Sequence, residues 1–294
     1  MLSETKKSKG EFETDLLNRI VRLALDEDKV EEDITTDSLI EYDRQVRAEI
    51  IAKQNGLISG FDALKKTFTM VDPKINIQVI KGDGAEVNKG DVIALIEGRE
   101  SSILKAERTA LNFIQRLSGI ATTTREFVER LRTSTTTLLD TRKTTPGMRY
   151  LEKKAVRDGG GTNHRLNLED MVMIKDNHIR MVGSISKAIT EVRKINQKKK
   201  IEVEVSNLTE LKEALDFKVD FIMLDNFTVE EVKEAVRLNQ HKVKLEVSGN
   251  ITLNNIEAKI IPGIDFISVG ALTHSFQSMD LSLEIVSELK PETE

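Results

Sequence analysis

The chain has 294 residues, with 44 Lys+Arg against 49 Asp+Glu and a net charge of −5 when histidine is neutral. That length predicts about two domains, and the mildly acidic total argues against a general nucleic-acid binder. No strictly apolar run exceeds the five residues from Val92 to Ile96, too few for a membrane-spanning helix, and zero cysteines exclude disulfides, thiolate metal sites and thiol catalysis and fit a reducing cytoplasm.

The opening MLSETKKSKGEFE has no apolar stretch of the kind a signal peptide needs. Residues 14–25 place Leu16, Leu17, Ile20, Leu23 and Ala24 at the spacing of an amphipathic helix. From 45 to 98, short β-rich runs alternate with Gly, Asn and Asp turns, which predicts a small sheet domain with a helix near 61–71. A helical pattern follows over 101–132, with Ala110, Leu111, Ile114 and Leu117 on one face and a break expected at Ser118-Gly119. Buried-strand candidates then occur at 137–141, 171–174, 201–205, 221–225, 244–247 and 266–269, most of them separated by helical patterns such as 184–196, 208–217 and 228–238. This alternation predicts parallel strands joined by crossovers, in a barrel or an open doubly wound sheet.

Polar residues mark the ends of these strands. The first runs into Arg142 and Lys143, the second into Lys175, Asp176 and Asn177; the third contains Glu204. The fourth ends in Asp225-Asn226, the fifth in Ser248-Gly249-Asn250 and the sixth in Gly270-Ala271. In an α/β barrel the carboxyl ends of the strands share one face, so charges scattered in sequence become one cluster in space. IEVEV also puts Glu202 and Glu204 on the same side of one strand. One of them could cap the strand start, but a carboxylate between two valines needs a cation, metal or ligand. The loops SGN and VGALTH lie after the last two strands, where barrels commonly bind phosphate.

The stretch 142–165 holds seven basic and two acidic residues, net +5, so the rest of the chain sums to −10. A solvated basic helix accounts for Arg149 to Arg157. It does not account for Arg142-Lys143 at a strand end, or for Arg165 beside His164 after a triple glycine. Paired arginine donors suit carboxylate or phosphate, so the segment reads as a site for several anionic groups. His164 and His178 flank it, and His241 falls in a polar loop; their spacing suggests no zinc site. The Walker pattern, the dinucleotide glycine fingerprint and a Gly-x-Ser-x-Gly elbow are absent.

AERTALNFIQRLSGIAT (106–122), LDTRKTTPGMRYLEKKAVRDGGGTNHR (139–165), IKDNHI (174–179), EVEV (202–205), LDNF (224–227), EVSGNIT (246–252) and SVGALTHS (268–275) follow in order. Together they closely resemble the quinolinate phosphoribosyltransferases, from about residue 14 onward. The chain departs at Asn167, where the family usually has glycine, and in EEDITTDSL, a shortened form of the family's amino-terminal pattern. Neither touches a charged site position.

The resemblance implies an α/β fold. An amino-terminal α/β sandwich domain (1–117, completed by 277–294) would be followed by a carboxy-terminal open, TIM-like α/β barrel (118–276). It implies a homodimer or higher homo-oligomer with shared active sites, while the charge and hydropathy argue against a nucleic-acid or membrane partner and the missing cysteines fit a cytoplasmic enzyme. The substrates would be quinolinate and phosphoribosyl pyrophosphate with Mg²⁺, and the products nicotinate mononucleotide, pyrophosphate and carbon dioxide. Arg142, Arg165 and Lys175 would hold the two carboxylates beside His164, and Arg108 would enter the neighbouring subunit's site. Lys143 would lie near the bond being made, and Glu204 and Asp225 would bind the ribose hydroxyls and Mg²⁺. Ser248, Gly249, Asn250, Gly270 and Ala271 would cradle the 5-phosphate. The nearest alternative is a related phosphoribosyltransferase-like protein of the molybdate-transport type. More distant are a Schiff-base aldolase using Lys143 or Lys175, and a carrier module suggested by AEVNKGDVIALIEG (85–98).

Overall fold

The computed structural model describes residues 9–289; the outer parts of the expected amino-terminal domain, 1–8 and 290–294, lie outside them. Helix α1 (Lys9–Glu27) contains the expected 14–25 pattern and buries Val21 and Leu25, four residues apart on one face. The short α2 (Ile34–Leu39) is capped by Asp33, whose carboxylate accepts the Thr35 and Thr36 amides. Strand β1 (Gln45–Ala52) buries every second residue, Val46 to Ala52. It is followed by β2 (Gly56–Leu57), α3 (Phe61–Val71), β3 (Asn76–Val79), β4 (Glu86–Val87) and β5 (Val92–Arg99).

Helix α4 (Glu100–Leu131) then runs for 32 residues without the break expected at Ser118-Gly119. Both small residues serve packing instead. A Cβ on Gly119 would lie 2.1 Å from the Gln277 carbonyl oxygen, and Ser118 Oγ accepts the Ser59 amide.

Beyond α4 come β6 (Thr137–Leu139), α5 (Arg149–Asp158), β7 (Val172–Ile174), α6 (Asp176–Val182), α7 (Ile185–Ile195) and β8 (Ile201–Val205). These lead to α8 (Leu208–Leu215), β9 (Phe221–Asp225), α9 (Val229–Asn239), β10 (Lys244–Ser248), α10 (Ile256–Lys259), β11 (Phe266–Ser268), α11 (Ala271–His274) and β12 (Leu281–Glu288). The chain divides into two compact units. One comprises residues up to Thr122, Pro146–Gly159 and residues from Gln277 on; the other comprises Thr123–Thr145 and Gly160–Phe276.

In the first unit, β12, β1, β5 and β3 form an antiparallel sheet in that order, with β2 and β4 as a separate pair. Its apolar core gathers Ile50, Phe68, Ile96 and Leu111 from the sheet and from helices α3 and α4. Helix α5 belongs to this unit, although its residues fall in the span expected for the barrel, and it is not a solvated basic helix. Glu152 and Lys153 are buried, and Arg116 donates to Glu152 Oε1 at 2.6 Å. Lys154 is ion-paired with Asp83 and lies 3.1 Å from Asp158. Four of the seven basic residues of 142–165 are therefore carried on α5, and Arg142, Lys143 and Arg165 are left to the second unit.

In the second unit, six parallel strands pair in the order β6-β11-β10-β9-β8-β7, with β6 and β7 at the edges of an open α/β barrel sheet. Val203, Val205, Ile222, Leu224, Leu245 and Val247 are fully buried on one face of the central strands. The opposite face is layered. At its amino-terminal end the Phe221 and Phe266 rings pack at a 60° tilt with centroids 5.9 Å apart, Lys200 lying over the first and Lys244 over the second. Glu202 and Glu246 lie beyond them, and Glu204, Asp225 and Ser248 reach the carboxyl ends.

Candidate active site

A cavity of about 700 Å³ opens at the carboxyl ends of these strands. Its lining includes Arg142, Lys143, His164, Arg165, Lys175, Glu204, Asp225, Ser248, Gly249, Asn250, Gly270 and Ala271. Twelve residues expected from the sequence thus converge on one mouth of the second unit. Arg108 does not line it: this arginine sits on α4 in the first unit, largely exposed and 4.0 Å from Glu107.

The cationic side is built by a buried carboxylate. Asp140, fully buried just after β6, accepts the His164 amide at 2.8 Å and the Asn163 side chain at 2.7 Å. It thereby ties the segment after the triple glycine to the end of β6, next to Arg142. The Arg165 guanidinium donates to the Met171 carbonyl at 3.1 Å and to Met173 Sδ at 3.4 Å. Burial and the neighbouring Arg142 charge weaken its hold on its proton, and Arg142 Nε is itself buried without a hydrogen-bond partner. Two guanidinium groups facing one cavity with so little compensation suit an anionic ligand.

Lys175, at the end of β7, lies 2.5 Å from Glu204 Oε2 on β8. Glu204 pairs in register with Met223, and Asp225 is two residues further along β9, so both carboxylates occupy the same side of the sheet. Asp225 Oδ2 accepts the Asn226 side-chain amide at 2.8 Å. Each carboxylate keeps one oxygen outside these contacts. Two hard oxygen donors at the cavity rim fit Mg²⁺, which binds through one or two carboxylates and completes its shell with water and substrate phosphates.

The glycine loops supply close backbone approach. Gly249 has φ +98°, and a Cβ there would fall 2.2 Å from Asn226 Oδ1. Asn226 and Asn250 are also left-handed, and the Asn250 side chain donates to Asn226 Oδ1 at 3.1 Å. A Cβ on Gly270 would meet Lys143 Cδ at 2.9 Å, so the lysine stem lies across this glycine. Thr273 Oγ1 donates to the Lys143 carbonyl and fixes the main chain at that strand end.

His164 occupies the buried floor. Its Nε2 lies 2.9 Å from Glu202 Oε2 and 3.5 Å from Glu246 Oε2, and its Nδ1 accepts the Arg165 amide at 2.8 Å. Burial disfavours a charged ring and the two carboxylates favour one, while the Arg165 amide at Nδ1 works against a second ring proton. Burial raises Glu202 to about 7 against the pull of His164. Of the two glutamates of IEVEV, Glu202 is thus the fully buried partner of a histidine and does not cap the strand, while Glu204, the one between two valines, has Lys175 as its cation. His178 is exposed, with Nδ1 accepting the Lys175 amide at 3.0 Å, and His241 is exposed in a left-handed turn.

Reading the sequence alone missed Asp140, Glu246, Ser268 and His274. Asp140 and Glu246 carry the signal that singled out Glu202, an acid inside or abutting an apolar strand. His274 lies in the VGALTH loop and lines the cavity, with Nδ1 2.6 Å from Ser275 Oγ. Among the described residues no helix is long and apolar enough to cross a membrane.

Known proteins resemble the chain in sequence and in overall fold. Residues 33–118 match the family model of the quinolinate phosphoribosyl transferase N-terminal domain, and residues 120–284 match that of the C-terminal domain. A Synechocystis protein described as a probable nicotinate-nucleotide pyrophosphorylase (carboxylating) is 44% identical over 244 residues, 82% of this chain and 83% of its own length. A Bacillus subtilis protein of the same description is 43% identical over 254 residues, 86% and 88% of the two chains. The solved nicotinate-nucleotide pyrophosphorylase of Francisella tularensis superposes with a TM-score of 0.87 at 43% identity, over 92% of this chain and 96% of its own. That of Ehrlichia chaffeensis gives 0.88 at 38% identity, over 96% and 100%. With both of its domain models matched in order across most of its length, the chain belongs to the quinolinate phosphoribosyl transferase family.

Proposed function

We propose that the protein transfers the phosphoribosyl group of phosphoribosyl pyrophosphate to quinolinate. Loss of one carboxylate as carbon dioxide then gives nicotinate mononucleotide and pyrophosphate for NAD synthesis. The observation that carries this reading is the composition of one cavity: Arg142, Lys143, Arg165 and Lys175 stand with Glu204, Asp225 and two glycine loops. A dicarboxylate and a sugar bearing a phosphate and a pyrophosphate need these opposite features in one place.

Arg142, Arg165 and Lys175 bind the two quinolinate carboxylates beside His164, and Lys143 reaches the sugar near the bond being made. Ser248, Gly249, Asn250, Gly270 and Ala271 hold the 5-phosphate through backbone amides at the barrel mouth. Glu204 and Asp225 accept from the ribose hydroxyls and favour the positive charge that develops on the sugar as pyrophosphate leaves. They are also the residues that would hold Mg²⁺, whose chemistry is to neutralise charge on the departing pyrophosphate. Once the ring nitrogen carries the sugar it is cationic, and it stabilises the electron pair left when carbon dioxide departs. No organic cofactor is required.

The assembly is a cytoplasmic homodimer or higher homo-oligomer in which Arg108 completes the partner's site. In support, Arg108 is exposed and is not among the residues that line the cavity of the second unit. Exposed apolar side chains also concentrate between residues 12 and 42, where Leu23, Ile34, Leu39 and Tyr42 are all more than two-thirds accessible.

The test is product analysis with purified protein, Mg²⁺ and phosphoribosyl pyrophosphate. Quinolinate should yield nicotinate mononucleotide and one carbon dioxide per turnover, while nicotinate should bind weakly and give no product. Calorimetric binding of nicotinate as tight as that of quinolinate would remove the dicarboxylate site.

A further inference from the structure

Two buried glutamates stand at the floor of the cavity, Glu246 among its lining residues, and both lie against His164. Glu202 on β8 and Glu246 on β10 both direct an oxygen to His164 Nε2, at 2.9 and 3.5 Å. Both oxygens of Glu202 and Oε1 of Glu246 lack a well-aligned hydrogen bond, although each residue is almost wholly removed from solvent. Buried carboxylates left this way are costly, so their retention calls for a reason.

His164, Glu202 and Glu246 lie close enough to suggest a metal site. The second ring nitrogen argues against it. Nδ1 accepts the Arg165 amide at 2.8 Å, so it carries no proton, and the proton of a neutral ring then resides on Nε2. A nitrogen bearing a proton has no lone pair for a metal. Metal-bound histidines show the opposite pattern, donating from the second nitrogen. The two carboxylates favour adding a further proton to the ring, and the Arg165 amide opposes it, because Nδ1 can accept that N–H only while unprotonated.

We propose that Glu202, assisted by Glu246, is a positioning residue for the quinolinate side of the cavity. The pair holds the His164 proton on Nε2, which leaves Nδ1 to anchor the Arg165 main chain where its guanidinium meets a substrate carboxylate. The chain of contacts is continuous: Glu202 to His164 Nε2, His164 Nδ1 to the Arg165 amide, and the guanidinium on to the Met171 carbonyl and Met173 Sδ. Asp140 fixes the other end by accepting the His164 amide. This inference rests on the reading of the cavity as a quinolinate site.

Two measurements test it. Nitrogen-15 spectra of the wild-type protein at neutral pH, with His164 assigned by loss of its signals in His164→Gln, should show one protonated and one unprotonated ring nitrogen, with the proton on Nε2. A doubly protonated ring, or a proton on Nδ1, overturns the assignment. Steady-state kinetics separate positioning from general structural damage. Glu202→Leu, which keeps the size but removes the carboxylate beside Nε2, should raise KM for quinolinate about tenfold or more, the scale of a buried polar group left without its charged partner, and leave KM for phosphoribosyl pyrophosphate nearly unchanged. Glu202→Gln, which can still accept from Nε2, should restore most of that loss. Equal rises in both KM values, an unchanged quinolinate KM in Glu202→Leu, or no rescue by glutamine would overturn the proposal. A wild-type protein inactive toward quinolinate would count against the function reading instead, and the spectra would still decide the tautomer.

Discussion

Lys175 Nζ and Glu204 Oε2 lie 2.5 Å apart, joining the ends of β7 and β8 across the cavity. The lysine proposed to meet a quinolinate carboxylate is thus occupied by the glutamate proposed to meet the sugar. A dicarboxylate that recruits Lys175 releases Glu204 for hydroxyls and metal. Benzene-1,2-dicarboxylate lacks the ring nitrogen and cannot react, so it isolates this effect. Calorimetry should show phosphoribosyl pyrophosphate with Mg²⁺ binding several-fold more tightly in its presence, and Lys175→Ala should abolish the difference. Equal affinity with and without the dicarboxylate would sever the link.

Lys143 and Glu204 are expected to act mainly in the transition state. Lys143→Ala and Glu204→Ala should each lower kcat by a factor on the order of 10² or more, as loss of a preorganised charge does. Near-normal turnover in both variants would remove them from the site.

Gly249 combines a left-handed backbone with a neighbour at contact distance. Gly249→Ala should cost about 1–3 kcal/mol in local strain. The Asn226 side chain and the loop must shift, so KM for phosphoribosyl pyrophosphate should rise more than KM for quinolinate. Kinetics in both substrates, with circular dichroism to verify folding, provide the measurement.

Lys154 tests the first unit rather than the cavity. Burial lowers its affinity for a proton, but hydrogen bonds and charge from Asp83 and Asp158 outweigh that and raise its pKa above the ordinary 10.5. A raised lysine pKa stabilises the fold below the unfolded value, and this contribution is lost as pH climbs through the folded value. Wild-type stability should therefore fall above about pH 10.5, and Lys154→Met should lose stability already at pH 7, by about 1–3 kcal/mol, with a flatter alkaline limb. Urea unfolding at several pH values reads both effects.

Arg108 tests the shared site. Arg108→Ala and Lys143→Ala should each be nearly inactive alone. After subunit exchange, the mixture should recover about a quarter of wild-type turnover, since half the dimers are mixed and each has one intact site. Recovery absent after verified exchange would place Arg108 outside the partner's cavity.

The strands of the second unit were legible because each is a short apolar run ended by polar residues. The predicted 201–205 and 221–225 coincide with β8 and β9. The helix expected over 61–71 is α3 itself. The errors share a cause. Gly119 reads as a helix breaker, and its actual reason is the Gln277 carbonyl, 158 positions away in sequence. Helix α5 reads as solvated because its partners Asp83 and Arg116 lie outside the local window. Within the cavity, charged strand ends announced themselves, as did His164 and Glu202 on the floor, whereas Asp140 and Glu246 resemble ordinary polar interruptions until His164 is seen between them.

Strand β12 pairs with β1 from Val46 to Ala52 and lies at the edge of the first unit's sheet. A ribosome delivers β1 early and β12 only after every strand of the second unit has been made. During that interval the open flank of β1, with its alternating apolar residues, is a template for any strand that reaches it. Synthesis stopped after Phe276 would leave that flank permanently bare, with the strands of the second unit present but the first unit prone to join its neighbours edge to edge.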